Sequence, residues 1–376
     1  MNRREFLMTA GAGLAGAGLS ARPAVAQTNS PGKAALPDVD IKHLPRWRGF
    51  NLQEKFSHTP DEWSSVAPEW GHNNEPFRES DFEWIANWGF NFVRLPMSYK
   101  CWTDPADPLK FMEKPVMEID QAVEFGKQYG VHVNMSFHRA PGYCINGCSG
   151  EPTTLWTDPI TQDTFVHHWE FFTRRYKGIP ASQLSFDLVN EPNCRDAQYV
   201  PLVKRTAEAI HAVDPQRPVI ADGLNGGKKP VDGLADANVG QSARGYEPGK
   251  VTHYMAPWAG NPRVKPTWPL IRGDGNVECD KETLRQGMVT PWKKLEKKGV
   301  GIHVGEWGCY NKTPHEVALG WMRDYLLLWK ESGWGWGLWC FRGSFGIVDS
   351  GRTDVQYEDF KGHKLDRMML ELLQEF

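Results

Sequence analysis

A single eight-stranded parallel β/α barrel is the fold this sequence predicts, and three observations predict it. Strand-like and helix-like segments alternate from about residue 46 to the C-terminus. The strand candidates are short and rich in β-branched or aromatic residues, as parallel strands buried on both faces read. Polar residues recur at the C-terminal ends of those runs, the rim at which such a barrel carries its chemistry.

The candidate strands are 47–52 (WRGFNL), 91–97 (NFVRLPM), 131–138 (VHVNMSFH), 184–191 (LSFDLVNE), 218–222 (PVIAD), 251–255 (VTHYM), 301–307 (GIHVGEW) and 335–341 (GWGLWCF). Helical periodicity fills much of the space between them. The segment from Asp81 to Trp88 has apolar residues at i, i+3 and i+6. Residues 120–129, 161–176, 198–213, 281–298, 314–331 and 364–376 behave alike. Gly89, Gly130 and Gly299 each close a helical stretch just before a strand, as C-cap glycines do. Eight such repeats over the mature chain fit one barrel domain at 46–376. A doubly wound open sheet is the runner-up, but no Gly-x-Gly-x-x-Gly follows the first strand.

The N-terminus reads as an address. Paired Arg3 and Arg4, followed by Phe6-Leu7, a Gly/Ala/Leu-rich stretch and Ala24-Val25-Ala26, resemble a twin-arginine export signal spanning 1–26. Residues 27–45 then read as a linker. The apolar stretch is too short and glycine-rich for a stable membrane span, so the mature protein is expected in a bacterial periplasm or outside the cell, with no membrane attachment. Cleavage after Ala26 removes Arg3, Arg4, Arg22 and Glu5, which takes the net charge from −3 to −5. That balance speaks against nucleic acid as a partner. An oxidising compartment makes disulfides plausible among the 7 cysteines, with Cys144 and Cys148 close enough to pin one loop. Neither Cys-x-x-Cys nor His-x-x-x-His occurs, so a zinc site is not expected, and no cofactor motif is present. The 17 tryptophans are a mild carbohydrate signal, because aromatic faces stack on the apolar C–H faces of sugars, though core packing explains any single one better.

At the expected rim stand Asn51, Glu54, Arg94, His138, Asn190, Glu191, His253, Tyr254, Glu306 and Trp339. Strand five, ending Ala221-Asp222-Gly223, is the least telling. Glu191 and Glu306 each end an apolar run, where a carboxylate is costly without a partner or a task. Two of them facing across a barrel mouth suit glycoside hydrolysis, with one acid to protonate the leaving oxygen and one carboxylate to attack carbon or activate water. Their surroundings must then hold their pKa values apart. Arg94 is placed to keep one glutamate charged. Asn190 is placed to bond a sugar hydroxyl. A structural ion pair is the plainer alternative.

In order along the chain, Arg94 in Phe-Val-Arg-Leu-Pro, His138 in Ser-Phe-His-Arg-Ala-Pro-Gly, Asn190-Glu191-Pro192, His253 in Thr-His-Tyr, Glu306 in Gly-Glu-Trp-Gly and Trp339 in Gly-Leu-Trp-Cys-Phe resemble glycoside hydrolase family 5, the cellulase-like family. The resemblance covers nearly all of the mature chain. It implies a retaining double displacement on a β-linked oligo- or polysaccharide, with Glu191 as acid/base, Glu306 as nucleophile and Arg94 as the nucleophile's support. His138, Asn190, His253 and Trp339 would shape the subsite at the scissile sugar, and retention implies carboxyl groups about 5–5.5 Å apart.

One departure stands out. The family carries His-x-Tyr on strand six, its tyrosine touching the nucleophile. Here that tyrosine position holds Met255, with Tyr254 one residue early and so on the opposite face of a strand. Either a bulge re-aims Tyr254 or another group, such as Tyr310, replaces it. The loop 342–352 reads as a substrate-side loop. Alternatives to an open-cleft hydrolase are an exo-acting β-glycosidase whose 139–160 and 256–280 segments wall a pocket, a non-catalytic carbohydrate-binding barrel, and an exported metalloenzyme using the cysteines.

Overall fold

The computed structural model describes residues 35–59, 74–146, 151–260 and 262–376. The expected export signal at 1–26, the first part of the expected linker and Cys148 lie outside the described residues.

Eight parallel strands close into a ring: β1 (Arg48–Asn51), β2 (Phe92–Ser98), β3 (His132–Ala140), β4 (Leu184–Asp187), β5 (Val219–Asp222), β6 (Gly240–Gly245), β7 (Ile302–Trp307) and β8 (Gly335–Leu338). Each pairs with its sequence neighbours, and β1 pairs with β8 as well as β2, so the barrel sheet has no open edge. The pairing of β1 is close. A Cβ on Gly49 would lie 1.7 Å from the carbonyl oxygen of Phe92, which only glycine avoids.

Around the ring stand α1 (Glu79–Asn87), α2 (Glu113–Tyr129), α3 (Pro159–Arg175), α4 (Asp196–Val213), α5 (Thr290–Glu296, the end of a helical run from Lys281), α6 (His315–Ser332) and α7 (Arg367–Glu375). Helix α3 shows how the sequence sets them. Asp158 accepts the Thr161 N–H at 2.7 Å as N-cap, and Pro159 occupies N1, where its missing N–H is not needed. Phe165, Trp169 and Phe172 recur at i, i+4 and i+7 and face the barrel, where Trp169 stacks on Phe137 at 4.0 Å. Burying each such side chain stabilises the fold by roughly 1.5–3 kcal/mol. Helix α2 ends at Gly130, whose φ of 69° is the left-handed cap expected of a glycine.

The barrel interior is layered. At its lower end Trp47 stacks on His132 at 3.9 Å, with Phe92 and His303 beside it. Burial pushes both histidines down to about 3, so they pack as neutral rings. Leu44 joins this cluster, and Ile41 accepts the Gly301 N–H at 3.0 Å, so the floor draws on residues within the stretch read as linker. Above the floor the interior turns polar, around Arg94.

Strand six is not where the sequence places it. The run 251–255 is not a strand. Residues Gly249–Thr252 form a short helix and His253 caps it. The sixth strand is Gly240–Gly245 (GQSARG), held between β5 and β7. It has no β-branched residue. It works because its neighbours supply the ladder, its small residues fit tightly and its side chains alternate: Ser242 and Arg244 point into the barrel, while Gln241 exchanges two bonds with the Val231 backbone outside it. The link from β5 to β6 accordingly carries only the short turns Leu224–Gly227 and Asp232–Leu234 in place of a full helix.

The expected disulfides do not form among the described cysteines, of which Cys144, Cys194, Cys279, Cys309 and Cys340 are free thiols. Also among the described residues, no helix is long and apolar enough to cross a membrane, and no group of three or more His, Cys, Asp or Glu could hold a metal ion.

Candidate active site

Arg94 is the hub of the polar layer. It projects inward from β2, fully buried, and all five of its N–H groups are directed. Nε donates to Asp187 at 2.8 Å. One terminal nitrogen donates to Asn51 at 3.1 Å and to Glu306 at 2.6 Å, the other to Ser136 at 2.8 Å and Asn190 at 2.9 Å. A planar fork with five fixed donors suits this task as lysine would not.

Glu306 reaches that fork because β7 is irregular. Strand alternation puts His303 and Gly305 on the inner face and would turn residue 306 outward. A register shift between Val304 and Glu306 against β6, and another against β8, breaks the alternation and brings Glu306 inside. Gly305 allows it: a Cβ there would lie 2.5 Å from Ser242 Oγ. Trp307 then faces outward into a cluster with Trp321, Trp329 and Trp336.

Glu191 follows β4 and has a left-handed backbone, φ 46°. Its N–H donates to Asp222 at 2.8 Å and its carbonyl accepts from the Tyr143 hydroxyl at 2.7 Å. Its carboxylate accepts from Arg244 Nε at 3.1 Å. Burial, the negative charge of Glu306 and that of Asp222 push the Glu191 carboxyl up to about 8 against the pull of Arg244. Glu306 goes the other way. Burial alone would raise it, but Arg244, Arg94 and His138 together hold it below the ordinary carboxylate value. Near neutral pH this pair therefore carries one proton, on Glu191.

A cleft of about 570 Å³ opens above the two carboxylates. His138, Tyr246, His253, Trp258, Trp339 and Phe345 are among the residues lining it. His138 lies against Trp339 with ring centroids 5.6 Å apart, and Asn146 Oδ1 accepts from its Nε2 at 2.9 Å. Burial pushes this histidine down to about 4, as it does His253. His253 sits edge-on to Tyr246.

The sequence-predicted residues thus divide. Glu191, Glu306, His138, His253 and Trp339 line the cleft. Arg94 and Asn190 lie just beneath its floor. Glu54 is buried away from it, near Asp81, and is raised to about 7 by that burial. Tyr254 is the exception. It is a half-buried residue of the turn after His253 and does not line the cleft, because the strand expected there does not exist. Tyr310, the other candidate, packs its ring against Trp258 and Phe345. The hydroxyl that reaches Glu306 is Tyr246, 3.2 Å from Oε2. Of the loop 342–352, Phe345 reaches the cleft, whereas Arg342 turns away to pair with Asp81.

Three site residues escape the sequence reading. Arg244, Tyr246 and Asp222 all stem from misplacing strand six or discounting strand five. Arg244 and Gly245 end the observed sixth strand, and Tyr246 just after it makes the contact to Glu306 that the resemblance assigned to a strand-six tyrosine. The alternation of small and polar residues over 240–245 was the available signal.

A barrel mouth in which one buried carboxylate is kept charged and its neighbour kept protonated is the working arrangement of a glycoside hydrolase. Known proteins agree with that class and narrow it. The family profile described as Cellulase (glycosyl hydrolase family 5) matches residues 42–344. The chain belongs to that family, and it is a retaining β-glycoside hydrolase. It is 28% identical over 306 residues to Endoglucanase C of Acetivibrio thermocellus, which spans 74% of this chain and 88% of that protein. It is 27% identical over 269 residues to Cellodextrinase A of Ruminococcus flavefaciens, 68% and 76% of the two chains. A crystal structure of a glycoside hydrolase, 40% identical, superimposes with a TM-score of 0.79 over 88% of this chain and 99% of its own. The endoglucanase Cel5A of Thermotoga maritima shares the fold, with a TM-score of 0.68 at 21% identity over 87% of this chain and 96% of that one. Membership in a hydrolase family sets aside the reading as a non-catalytic binding barrel.

Proposed function

We propose that this protein hydrolyses β-linked glucan oligo- or polysaccharides outside the cytoplasm, with Glu306 as nucleophile and Glu191 as acid/base. The observation that carries the assignment is the opposite displacement of the two carboxyls, Glu191 up to about 8 and Glu306 below its ordinary value. A nucleophile must be ionised and a general acid must hold its proton at the same pH. In the first step a Glu306 oxygen bonds to the anomeric carbon. The glycosidic bond breaks, its electron pair stays on the leaving oxygen, and that oxygen takes the Glu191 proton. In the second step water attacks the same carbon, gives a proton to Glu191, and the bond to Glu306 opens. Two inversions leave the β configuration.

Beneath the carboxylates, Arg94 aligns Glu306, and Asn190, itself oriented by Arg94 and Arg244, has an amide nitrogen without a partner among the described residues. That nitrogen is free to meet a sugar hydroxyl. His138 and Trp339 supply an apolar wall for the sugar at the scissile bond. Endoglucanase and cellodextrinase relatives support glucan as the substrate class. The exo-acting alternative keeps a specific observation in its favour, since Ile145 and Asn146 on one side and Trp258, Ala259 and Pro262 on the other do wall the cleft. The twin-arginine-like N-terminus supports export to the periplasm or beyond. The test is a screen of aryl β-glycosides, soluble β-glucans and mannans, with Glu306→Gln as control and products sized by chromatography. Loss of turnover in the variant is expected. Equal activity would overturn the nucleophile assignment, and release of a single product size from the chain end would favour exo action.

A further inference from the structure

We infer that Arg244, fixed from below by Asp222, is a positioning residue shared by both carboxylates, and that it serves the second half of the reaction more than the first. The inference rests on the assignment of Glu191 and Glu306 above. Arg244 stands on β6, 1% exposed in its side chain. Its Nε donates to Glu191 at 3.1 Å. One terminal nitrogen donates to Ser242 Oγ at 2.9 Å and to the Ala243 carbonyl at 3.2 Å. The other donates to Asn190 at 2.8 Å and to Asp222, and lies 3.6 Å from Glu306. Asp222 is completely buried and also accepts the Glu191 N–H. One carboxylate thus anchors both the backbone of Glu191 and the guanidinium that touches its side chain.

The consequence follows from the kind of charge involved. A histidine at this position could gain or lose a proton near neutral pH. Arginine cannot. In the resting site two negative groups, Glu306 and Asp222, oppose ionisation of Glu191, while Arg244 and Arg94 favour it. His138 and Tyr246 face the pair from β3 and from the end of β6, the first neutral by burial and the second donating to Glu306. Once Glu306 is esterified to the sugar, its charge is gone. The Glu191 carboxylate that has just given up its proton is then left facing Arg244 without that repulsion, and it stays ionised until water delivers a proton. A fixed cation 3.1 Å from the base therefore matters most when the base must be charged, during hydrolysis of the glycosyl-enzyme.

Two readouts test this, neither of which a merely structural residue would move. With an aryl β-glycoside carrying a good leaving group, Arg244→Gln should release a burst of about one phenol per enzyme, followed by steady turnover lowered by roughly 10²-fold, the scale of a general-base contribution. The acid limb of its kcat/KM profile should move up by about 1–3 pH units as Glu306 loses a cation. Because Arg244→Gln leaves Asp222 unpaired, the double variant Arg244→Gln/Asp222→Asn, which removes both charges, should show the same burst and shift. Arg244→Lys keeps a cation but not the fork, so it should hold the limb near its wild-type position while still showing a burst. Absence of a burst in all three variants, or an unmoved acid limb in the first two, overturns the inference. If neither glutamine variant folds, the lysine variant alone decides, and no burst there overturns it. Glu306→Gln separates this from failure of the underlying assignment, since retained turnover in that variant would sink the carboxylate roles whatever Arg244 does.

Discussion

Removing the guanidinium of Arg94 should destabilise the protein and inactivate it through two separable routes. In Arg94→Met the apolar stem is kept and all five donors are lost. Asp187, 1% exposed, then keeps no described partner, because Arg94 Nε is the donor to its Oδ2 and its Oδ1 has none among the described residues. Glu306 fares better, retaining Tyr246 at 3.2 Å and Arg244 at 3.6 Å. One buried carboxylate left unpaired costs about 3–5 kcal/mol. For roughly 320 described residues the entropy of unfolding is about 0.7 kcal/mol per degree, so the melting temperature should fall by about 4–7 °C. Differential scanning calorimetry at neutral pH measures this directly. The companion variant Arg94→Met/Asp187→Asn removes the stranded charge and should recover most of the melting temperature, yet hydrolysis of an aryl β-glycoside should stay lost because Glu306 and Asn190 remain unaligned. A melting temperature within a degree of wild type in Arg94→Met would refute the reasoning, as would a double variant no more stable than the single.

The other expectations are simpler. Tyr246→Phe deletes a rather long bond to a charged oxygen, near the weak end of about 1.5–3 kcal/mol; kcat/KM should drop about tenfold with an unchanged melting curve, and an undiminished kcat/KM would count against the contact. Glu191 is raised to about 8, so its proton is present below that pH and lost as pH rises through it; the alkaline limb of kcat/KM should lie near pH 8, and a limb at pH 5 would contradict the assignment of the acid. Gly49→Ala puts a methyl 1.7 Å from a strand carbonyl; the variant should be recovered mostly insoluble or melt far below wild type, and a normal melting curve would show that β1 and β2 are less tightly paired than described.

Much of this was legible in the sequence, for a physical reason. Strands such as FVRLP and IHVGEW are buried on both faces, so an ionisable residue within them signals a function. Arg94, Glu191 and Glu306 could be found that way, and the structure brings the three together. Strand six defeated the same logic. Val251, His253 and Tyr254 have strand-forming chemistry, but they lie on a short helix and the turn after it, whereas Gly240, Ser242 and Ala243 have little strand preference and form a central strand. Barrel closure overrides local propensity when neighbours on both sides provide the ladder. Misplacing the strand hid Arg244 and Tyr246 and put Tyr254 among the site residues although it does not line the cleft. Asp222 was hidden differently: a single aspartate ending an ordinary strand looks like a turn residue, and only the fold sets it under an arginine.

The left-handed backbone of Glu191 has a consequence for how this protein can change. A non-glycine residue held at φ 46° carries strain of order 1–3 kcal/mol. Asparagine or glycine would occupy that position with less of it, and neither could serve as the acid proposed for Glu191. On that proposal, stability and activity pull in opposite directions at one codon. A library of this protein selected for heat resistance alone would be drawn toward a better-folded barrel that no longer cuts its substrate, whereas selection for activity holds the chain at a stability below what its own fold could reach.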